Sequence, residues 1–311
     1  MKIIFMGTPD FSVGTLKALI EAGHEVTLVV TQPDKPKGRG NVMQCSPVKE
    51  AALEYGLPVY QPKKIREPEC IDFLKGYEAD IIVVIAFGQI LPKEILEMPK
   101  YGCVNVHASL LPKYRGAAPI QWAVINGEET TGVTTMKMDE GLDTGDMILS
   151  VEVPVDRKET GGSLFEKLEK AGANLCVETL AAIETGTAVY TPQNHEQATM
   201  TRIIHKKLGF IDFKKSAIEI ERMIRGLNPW PSAYTKLNGK ILKIWEADVI
   251  MSGGDNRPDT GTVVFSGPEG IGIQTGQGIL VLKEIQLEGR KRMSAEAFLR
   301  GAKVPMGTKF S

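Results

Sequence analysis

The sequence predicts an α/β fold: a doubly wound, mostly parallel, Rossmann-like sheet, followed by a small C-terminal β-barrel of the OB-like type. Apolar runs without alternation recur through the first third of the chain, and amphipathic stretches with helical spacing separate them. Such runs are typical of strands that helices cover on both faces, and hence of a parallel sheet. Beyond residue 230, short strands separated by Gly, Asn and Asp turns predict the barrel.

The first part of the chain alternates strands and helices. Strands are predicted at KIIFMG, HEVTLVVTQ, LPVYQ, ADIIVVIAFG and GCVNVH, and helices at TPDFSVGTLKALIEAG, SPVKEAALEYG, residues 67–76 and residues 93–98. Ser46 is expected to cap the second helix, because a proline follows it at the first turn. Ligands of such sheets bind beyond the carboxyl ends of the strands, and His107 falls at one of these ends.

The pattern changes in the middle of the chain. GVTTMKMD and DMILSVEVPV predict an antiparallel pair, and residues 162–186 predict a long amphipathic helix that ends at glycine. Residues 190–205 show little periodicity and are predicted to be a linker. A helix at 216–225 then leads into the barrel strands SAYTKL, KILKIWEADVI, GTVVFS, GIGIQTG and GILVLKEIQLEG. We therefore predict a first, catalytic domain at 1–189 and a C-terminal domain at 206–311.

The composition is that of a soluble globular protein, with 42% hydrophobic and 24% charged residues among 311. The longest apolar stretch, IIVVIAFGQIL, is too short to span a bilayer, and no secretory signal is visible. A cytoplasmic protein without a membrane partner is expected. The four cysteines show neither metal-ligand spacing nor a disulfide framework, which predicts reduced thiols and no metal site.

The net charge of −1 conceals an asymmetry along the chain. Residues 206–311 carry 17 Lys and Arg against 11 Asp and Glu, a balance of +6, which leaves −7 for residues 1–205. A basic domain that follows an acidic one favours contact with a polyanion such as a nucleic acid. A balance of this size also occurs in domains that bind no anion, so charge alone leaves both interpretations open.

The first turn argues against a dinucleotide cofactor. The G-x-G-x-x-G fingerprint requires a second glycine where the segment GTPDFSVG has proline. Gly7 permits a tight turn, but the sequence does not provide for the close approach of the backbone to a pyrophosphate. We therefore expect no NAD.

Three polar residues fall where the sheet should open to a ligand: Asn105, His107 and Asp143. A carboxylate near an imidazole favours its protonated form, and an imidazolium beside an amide N–H suits an oxyanion that develops on an attacked carbonyl. The carboxylate also suits the removal of a proton from an attacking amine. Taken singly, each residue has a structural alternative: a hydrogen-bonded loop histidine, a capping asparagine and a turn-forming aspartate.

The longer strings around these residues carry a family resemblance. NVHASLLPKYRGAAPIQWAVINGE resembles the signature of the folate-dependent formyltransferases, and MDEGLDTGDM resembles the second signature of that superfamily. The resemblance implies that Asn105, His107 and Asp143 are catalytic. It also implies 10-formyltetrahydrofolate as co-substrate. The implied folate contacts are Ser109, Leu110, Leu111 and Pro112, together with Phe87, Gly88 and Ile90 from the segment IAFGQILP.

Three further features resemble the branch of this superfamily that acts on methionyl-tRNA. They are the first turn GTPDF, the basic loop TQPDKPKGRGNVMQCSPVK, and RGLNPWPSAYT in the C-terminal part. The loop implies RNA contacts at Lys35, Lys37 and Arg39, although a short basic loop is more often simply solvated. Phe213 stands where family members often have tryptophan, and the linker is looser than the family pattern.

The resemblance implies a complete reaction. The formyl group passes directly to the free amino group of initiator methionyl-tRNA, through a tetrahedral intermediate, and the product serves translation initiation. A monomer is expected. Two other classes stay open at this point: a non-catalytic RNA-binding protein, and a hydrolase or sugar-nucleotide formyltransferase that uses the same three residues.

Overall fold

The computed structural model describes residues 1–37, 42–251 and 258–310. The described chain forms two compact units. The first comprises residues 1–116, 130–154 and 165–201, and the second comprises residues 117–129, 155–164 and the C-terminal part from Arg202.

The helices and strands follow in chain order. The strands are β1 (Lys2–Gly7), β2 (Glu25–Val30), β3 (Lys35–Lys37), β4 (Val42–Gln44), β5 (Val59–Tyr60), β6 (Ile81–Ile85), β7 (Cys103–His107), β8 (Arg115–Gly116), β9 (Thr130–Lys137), β10 (Met147–Pro154), β11 (Met200–Thr201), β12 (Ala233–Leu237), β13 (Lys240–Ile250), β14 (Val263–Gly267), β15 (Gly270–Gln274), β16 (Ile279–Leu287) and β17 (Met293–Ser294). The helices are α1 (Val13–Glu21), α2 (Pro47–Glu54), α3 (Pro68–Lys75), α4 (Lys93–Leu96), α5 (Pro119–Asn126), α6 (Gly161–Thr185), α7 (Ala217–Gly226) and α8 (Ala295–Gly301).

The first unit is built on a seven-stranded sheet of order β10-β9-β7-β6-β1-β2-β5. The five strands from β7 to β5 run parallel, and β9 and β10 form the predicted antiparallel pair at one edge. The chain passes from β1 through β2 to β5 on one side and returns through β6 and β7 on the other. This is the predicted doubly wound arrangement, which opens a crevice where β1 and β6 end.

One face of this sheet carries an apolar cluster that ends at the crevice. The cluster takes Ile4 from β1, Val84 from β6 and Cys103 from β7, and it includes residues of α3 and α4. Successive side chains of a strand alternate between faces, so Asn105 and His107 continue the row that Cys103 begins. The face is therefore apolar along β7 until its carboxyl end, where two polar side chains replace the core residues.

Side chains cap the N-termini of two of the predicted helices. The Ser46 hydroxyl accepts a hydrogen bond from the Lys49 backbone N–H, with proline at the first position of α2, as predicted. In the second unit, Ser216 and Glu219 form a reciprocal capping box at the start of α7. Each device satisfies backbone N–H groups that a helix N-terminus leaves unpaired.

The second unit contains an antiparallel sheet of order β12-β13-β16-β15-β14, with β17 paired to β16. This agrees with the small barrel that the sequence predicts. Its core takes Ile220 and Ile224 from α7 and Phe298 from α8, and Trp122 and Ile125 of α5 pack against it. Neither α5 nor α8 was predicted from the sequence.

The compact units do not follow the predicted boundaries everywhere. Residues 117–129 fall within the predicted first domain but belong to the second unit, because α5 packs on the same apolar cluster as α7. Residues 190–205, predicted to be a linker, contain β11, which pairs with β8. The domain boundaries themselves stay a prediction.

The described part of the chain lacks two kinds of feature. None of its helices is both long and apolar enough to cross a bilayer. It also holds no cluster of three or more His, Cys, Asp or Glu side chains arranged to bind a metal ion. All four cysteines are free thiols.

Candidate active site

Asn105 lies near the carboxyl end of β7, beside Val84 of β6 in the sheet register. Its side-chain Nδ2 donates a hydrogen bond of 3.0 Å to the Val84 carbonyl. This bond fixes which side-chain atom is the nitrogen, because a carbonyl only accepts. The buried Oδ1 has no hydrogen-bond partner among the described residues. A buried acceptor without a partner is costly, so its position is consistent with a ligand that donates to it.

His107 ends β7 and is buried, with 7% of its surface exposed. Its Nε2 lies 2.9 Å from the Tyr114 carbonyl. Since that carbonyl can only accept, Nε2 carries a hydrogen. On the other side of the ring, Nδ1 lies 3.7 Å from Asp143 Oδ2. The imidazole therefore has an acceptor on each side, and the longer approach leaves Nδ1 room for a second partner.

Asp143 lies in the loop between β9 and β10. Its backbone has a φ of 54°, a left-handed conformation that aspartate tolerates better than most residues. Its Oδ2 accepts a hydrogen bond of 2.7 Å from the Gly116 backbone N–H. A side chain at Gly145 of the same loop would place its Cβ 1.8 Å from the Lys137 carbonyl, so only glycine fits there. The loop thus presents Asp143 to His107 in one fixed geometry.

The structure therefore brings together the three residues that the sequence proposes as catalytic. Asn105 and His107 share one face of β7, and Asp143 reaches His107 from a loop that follows it by more than thirty residues. Their catalytic role is a proposal.

The predicted folate segment Ser109–Pro112 forms a tight turn. The Ser109 hydroxyl donates to the Lys113 carbonyl over 2.7 Å, and Leu111 N–H donates to Thr134 Oγ1 over 3.1 Å. Ser109 and Leu111 are buried, whereas Leu110 and Pro112 are half-buried. The last two therefore present more surface to a ligand, and the first two hold the turn.

The other predicted folate segment follows β6 and also turns sharply. Gly88 has a φ of 83°, in the left-handed region, and Phe87 is buried. The Phe87 carbonyl accepts hydrogen bonds from Thr8 and Gln32, which tie this segment to the ends of β1 and β2. Ile90 is 82% exposed, so its side chain offers apolar surface to a ligand.

The predicted RNA-contacting loop begins as a hairpin of β3 and β4. Lys35 is exposed on β3, and Lys37 ends that strand, whereas Arg39 lies outside the described residues. A polar cluster holds the foot of the hairpin: Asp34 accepts from Gln61 Nε2 and from Lys49 Nζ, each over 2.7 Å. The hydrogen bonds from Gln61 and Lys49 lower the pKa of the Asp34 carboxyl, and the bond to Asp34 raises the pKa of Lys49.

Two of the buried cysteines, Cys103 and Cys176, are unsuited to act as nucleophiles. Burial raises the pKa of the Cys103 and Cys176 thiols to about 12, so both stay protonated at neutral pH. A thiol reacts as a nucleophile only as its thiolate.

One residue of the site was missed by reasoning from the sequence. Gln193 lies in the predicted linker, yet it is buried and donates hydrogen bonds to the carbonyls of Asp143 and Gly145. The guanidinium of Arg115 donates in turn to Gln193. Nothing in the local pattern around Gln193 marks it, because its partners lie between 48 and 78 residues earlier in the chain.

Comparison with known families identifies the protein class. A family model described as "Formyl transferase" matches residues 1–180, and one described as "Formyl transferase, C-terminal domain" matches residues 203–303. The chain belongs to the formyl transferase family. It is thus an enzyme, a transferase of one-carbon groups.

The relatives of this formyl transferase are similar over their whole length. A protein named methionyl-tRNA formyltransferase from Agathobacter rectalis is 65% identical over 311 residues, which cover 100% of both chains. A protein of the same name from Lachnospira eligens is 56% identical over 310 residues, covering 99% of this chain and 98% of the relative.

A solved structure supports the fold of this formyl transferase. The structure of HypX from Aquifex aeolicus in complex with tetrahydrofolic acid matches with a TM-score of 0.63 and 19% identity. The match covers 99% of this chain and 50% of that one. At this level of identity the similarity shows the shared fold alone.

Proposed function

We propose that the chain transfers the formyl group of 10-formyltetrahydrofolate to the free amino group of methionyl-initiator-tRNA, giving formylmethionyl-tRNA for translation initiation. The observation that carries the chemistry is the convergence of Asn105, His107 and Asp143, with His107 Nδ1 3.7 Å from Asp143 Oδ2. The choice of acceptor is supported by the relatives, two of which are named methionyl-tRNA formyltransferase at 65% and 56% identity.

The three residues suit attack by an amine on a formyl carbon. As the new C–N bond forms, the formyl oxygen becomes an oxyanion, which needs hydrogen-bond donors positioned in advance. His107 with hydrogens on both nitrogens keeps its bond to Tyr114 and can offer Nδ1–H to that oxyanion. Asn105 Nδ2 has one hydrogen on Val84 and a second that is free to donate.

Proton transfer completes the step. The attacking amine becomes positively charged and must lose a proton before the intermediate collapses. Asp143, whose Oδ2 lies 3.7 Å from His107 Nδ1 and whose side chain is 14% exposed, accepts that proton directly or through water. The bond from the formyl carbon to the folate nitrogen then breaks, and that nitrogen takes up a proton.

The segments around the crevice fit a folate. Exposed Ile90 and half-buried Leu110 offer apolar surface of the kind on which a planar pteridine ring packs. The buried Asn105 Oδ1 offers an acceptor without a partner in the described protein. Folate contacts at Ser109, Leu111, Pro112, Phe87 and Gly88 remain part of the proposal, with Ser109, Leu111 and Phe87 acting mainly by shaping the pocket.

RNA binding is proposed for two regions. The sequence segment 31–49 contributes Lys35, Lys37 and Arg39, and the residues from 206 onward carry the balance of +6. Basic side chains on such surfaces bind phosphates without reading the sequence of the RNA. We further propose that the enzyme acts in the cytoplasm, as a monomer, and without a metal ion or NAD.

A single assay tests the proposed function against its alternatives. The purified protein is incubated with 10-formyltetrahydrofolate and methionyl-tRNA, and the product is examined for acid-stable formylmethionine. In a parallel reaction with an amino-sugar nucleotide, a formylated product would indicate a sugar-nucleotide formyltransferase. Release of free formate without an acceptor would point to a hydrolase. Absence of formylmethionyl-tRNA under saturating substrates would contradict the proposal.

Arg39→Ala is expected to raise the KM for methionyl-tRNA and to leave the affinity for folate unchanged. If Arg39 contacts a phosphate, the slope of log KM against log salt should also fall by about one unit. Lys170→Ala, which removes an exposed charge from α6, is the matched control. A fall in folate affinity instead would assign the loop to the other substrate.

For Asp34→Ala, electrostatics and geometry predict opposite changes in the KM for methionyl-tRNA. Removing a negative charge next to a basic hairpin should by itself improve binding of RNA. If the cluster of Asp34, Lys49 and Gln61 holds the hairpin in place, the KM for methionyl-tRNA should instead rise severalfold. Glu54→Gln, at the exposed end of α2, removes the same charge without touching the cluster. A lower KM in both variants would exclude a role for the cluster.

A further inference from the structure

The segment from Thr191 to Thr201 contacts two loops of the first unit, the one that follows His107 and the one that carries Asp143. Thr191 exchanges two backbone hydrogen bonds with Met147, just beyond the loop that holds Asp143. Thr199 accepts from the Arg115 backbone N–H over 2.8 Å, and its hydroxyl accepts from Tyr114 N–H over 2.8 Å. The same segment therefore contacts the loop that follows His107 and the loop that carries Asp143.

Gln193 lies in this segment with every side-chain hydrogen-bonding group occupied. Its Nε2 donates to the Asp143 carbonyl over 3.0 Å and to the Gly145 carbonyl over 2.7 Å. Its Oε1 accepts two bonds from the Arg115 guanidinium, at 3.0 Å from Nε and 2.6 Å from Nη2. Gln193 and Arg115 are each only 5% exposed. A buried side chain whose polar groups are all hydrogen-bonded holds one conformation, since any displacement leaves a polar group unpaired.

The positive charge of Arg115 strengthens the hydrogen bonds that Gln193 makes at both Oε1 and Nε2. A cationic donor makes the bonds to Oε1 charge-assisted, and it polarises the amide so that Nε2 becomes a better donor. Nε2 bonds only to the backbone of the loop around Asp143. The backbone N–H of the next residue, Gly116, binds the Asp143 carboxylate. Two consecutive residues of β8 thus hold Asp143. Gly116 binds the Asp143 carboxylate directly, and Arg115 acts on the Asp143 loop through Gln193.

Asp143 needs such support because its backbone is left-handed, with a φ of 54°. A residue other than glycine adopts this conformation at a cost, and it persists only where its surroundings impose it. The position of the carboxylate relative to His107 follows from that conformation. We propose that Gln193 is a positioning residue of the transfer reaction: oriented by Arg115, it fixes the loop of Asp143 so that the carboxylate faces His107. This inference rests on the proposed function for its kinetic consequence.

The test uses Gln193→Glu in the full-length protein. Glutamate keeps the acceptor that binds Arg115 but loses the two N–H donors to the loop. The kcat for formyl transfer should fall about tenfold or more, because small displacements of a catalytic group are costly, while both KM values stay within about twofold. Gln197→Glu makes the same chemical change at an exposed position of the segment and should behave as the wild type.

A double-mutant cycle separates positioning from a general structural effect. If Gln193 acts through Asp143, Gln193→Glu should lower kcat little further in an Asp143→Asn background. Additive losses, or a kcat within twofold of the Gln197→Glu control, would overturn the inference. If Gln193→Glu does not fold, Gln193→Met replaces it, since methionine is neutral and of similar length.

A second measurement does not depend on activity. Hydrogen exchange at the Gly116 amide reports its bond to Asp143 Oδ2, and Gln193→Glu should accelerate that exchange at least tenfold relative to Gln197→Glu. Unchanged protection would show that Gln193 does not hold the loop. A wild-type enzyme that forms no formylmethionyl-tRNA would contradict the proposed function, and the exchange result would still decide the role of Gln193.

Discussion

Replacing Asn105 or His107 with alanine is expected to lower the kcat for formylation of methionyl-tRNA by about a hundredfold or more. This is the usual cost of losing one donor to an oxyanion, about 3 kcal/mol of transition-state stabilisation. The KM values should change little, because the lost interaction forms with the transition state. His205→Ala, at an exposed histidine, is the control and should retain the wild-type kcat. Near-normal turnover in both variants would refute the assignment of the site.

Two further variants of His107 separate the roles of its nitrogens. Glutamine places a donor near the position of Nε2, where it can keep the bond to the Tyr114 carbonyl. Asparagine places its donor near the position of Nδ1, on the side that faces Asp143. If Nδ1–H stabilises the oxyanion, His107→Asn should retain more activity than His107→Gln. The reverse order would assign catalysis to Nε2 and contradict the proposed geometry.

Asn105→Asp separates donor from acceptor at the second position. The carboxylate keeps an oxygen where Oδ1 lies, but it cannot donate to the Val84 carbonyl or to an oxyanion. A loss as large as that of Asn105→Ala would assign the role to the N–H. Activity close to the wild type would assign it instead to the buried oxygen that lacks a partner among the described residues.

The position of the site could be predicted from the sequence because it depends on strand order. Apolar runs identify the parallel strands, and the carboxyl end of such a strand is where ligands bind. His107 is the last residue of the predicted strand GCVNVH, so its location at the open edge follows from the pattern. Asp143 is farther away in the sequence. The prediction that it lies near His107 depended on the family resemblance rather than on the spacing of the residues.

Other features, such as the role of Gln193 and the presence of helix α5, could not be predicted because they depend on contacts between distant parts of the chain. Gln193 lies in a segment without periodicity, and its partners come from distant parts of the chain, Arg115 from β8 and Asp143 from the loop between β9 and β10. Helix α5 was missed for a related reason. It is apolar on most sides, and Ala118 before it has no capping side chain, so Pro119 at its first position is a weak start signal without a cap to support it.

The family resemblance was informative about the site but not about how each residue acts. It groups Ser109, Leu110, Leu111 and Pro112 as folate contacts, yet the structure gives them different surroundings. The Ser109 hydroxyl and the Leu111 N–H are both occupied within the protein, by Lys113 and Thr134. A motif records which residues a function requires, whereas only the structure separates those that hold a turn from those that meet a ligand.

Asp143→Asn is expected to lower kcat by about a hundredfold or more, the range attributed to a positioned general base. Asparagine is the informative replacement because it removes the charge and keeps the structure of the loop. It tolerates the left-handed backbone at this position, and its amide oxygen can still accept from Gly116 N–H. The KM values for folate and methionyl-tRNA should therefore stay close to those of the wild type.

The comparison with Asp143→Ala then separates charge from geometry. Alanine removes both the carboxylate and the acceptor for Gly116 N–H, and it disfavours a φ of 54°. If the charge of Asp143 is what matters, both variants should lose kcat to a similar extent, and only alanine should accelerate hydrogen exchange at the Gly116 amide. If asparagine retains a kcat within threefold of the wild type, Asp143 serves only to hold the loop. His107 would then act without a carboxylate partner, and the amine proton would have to leave through solvent.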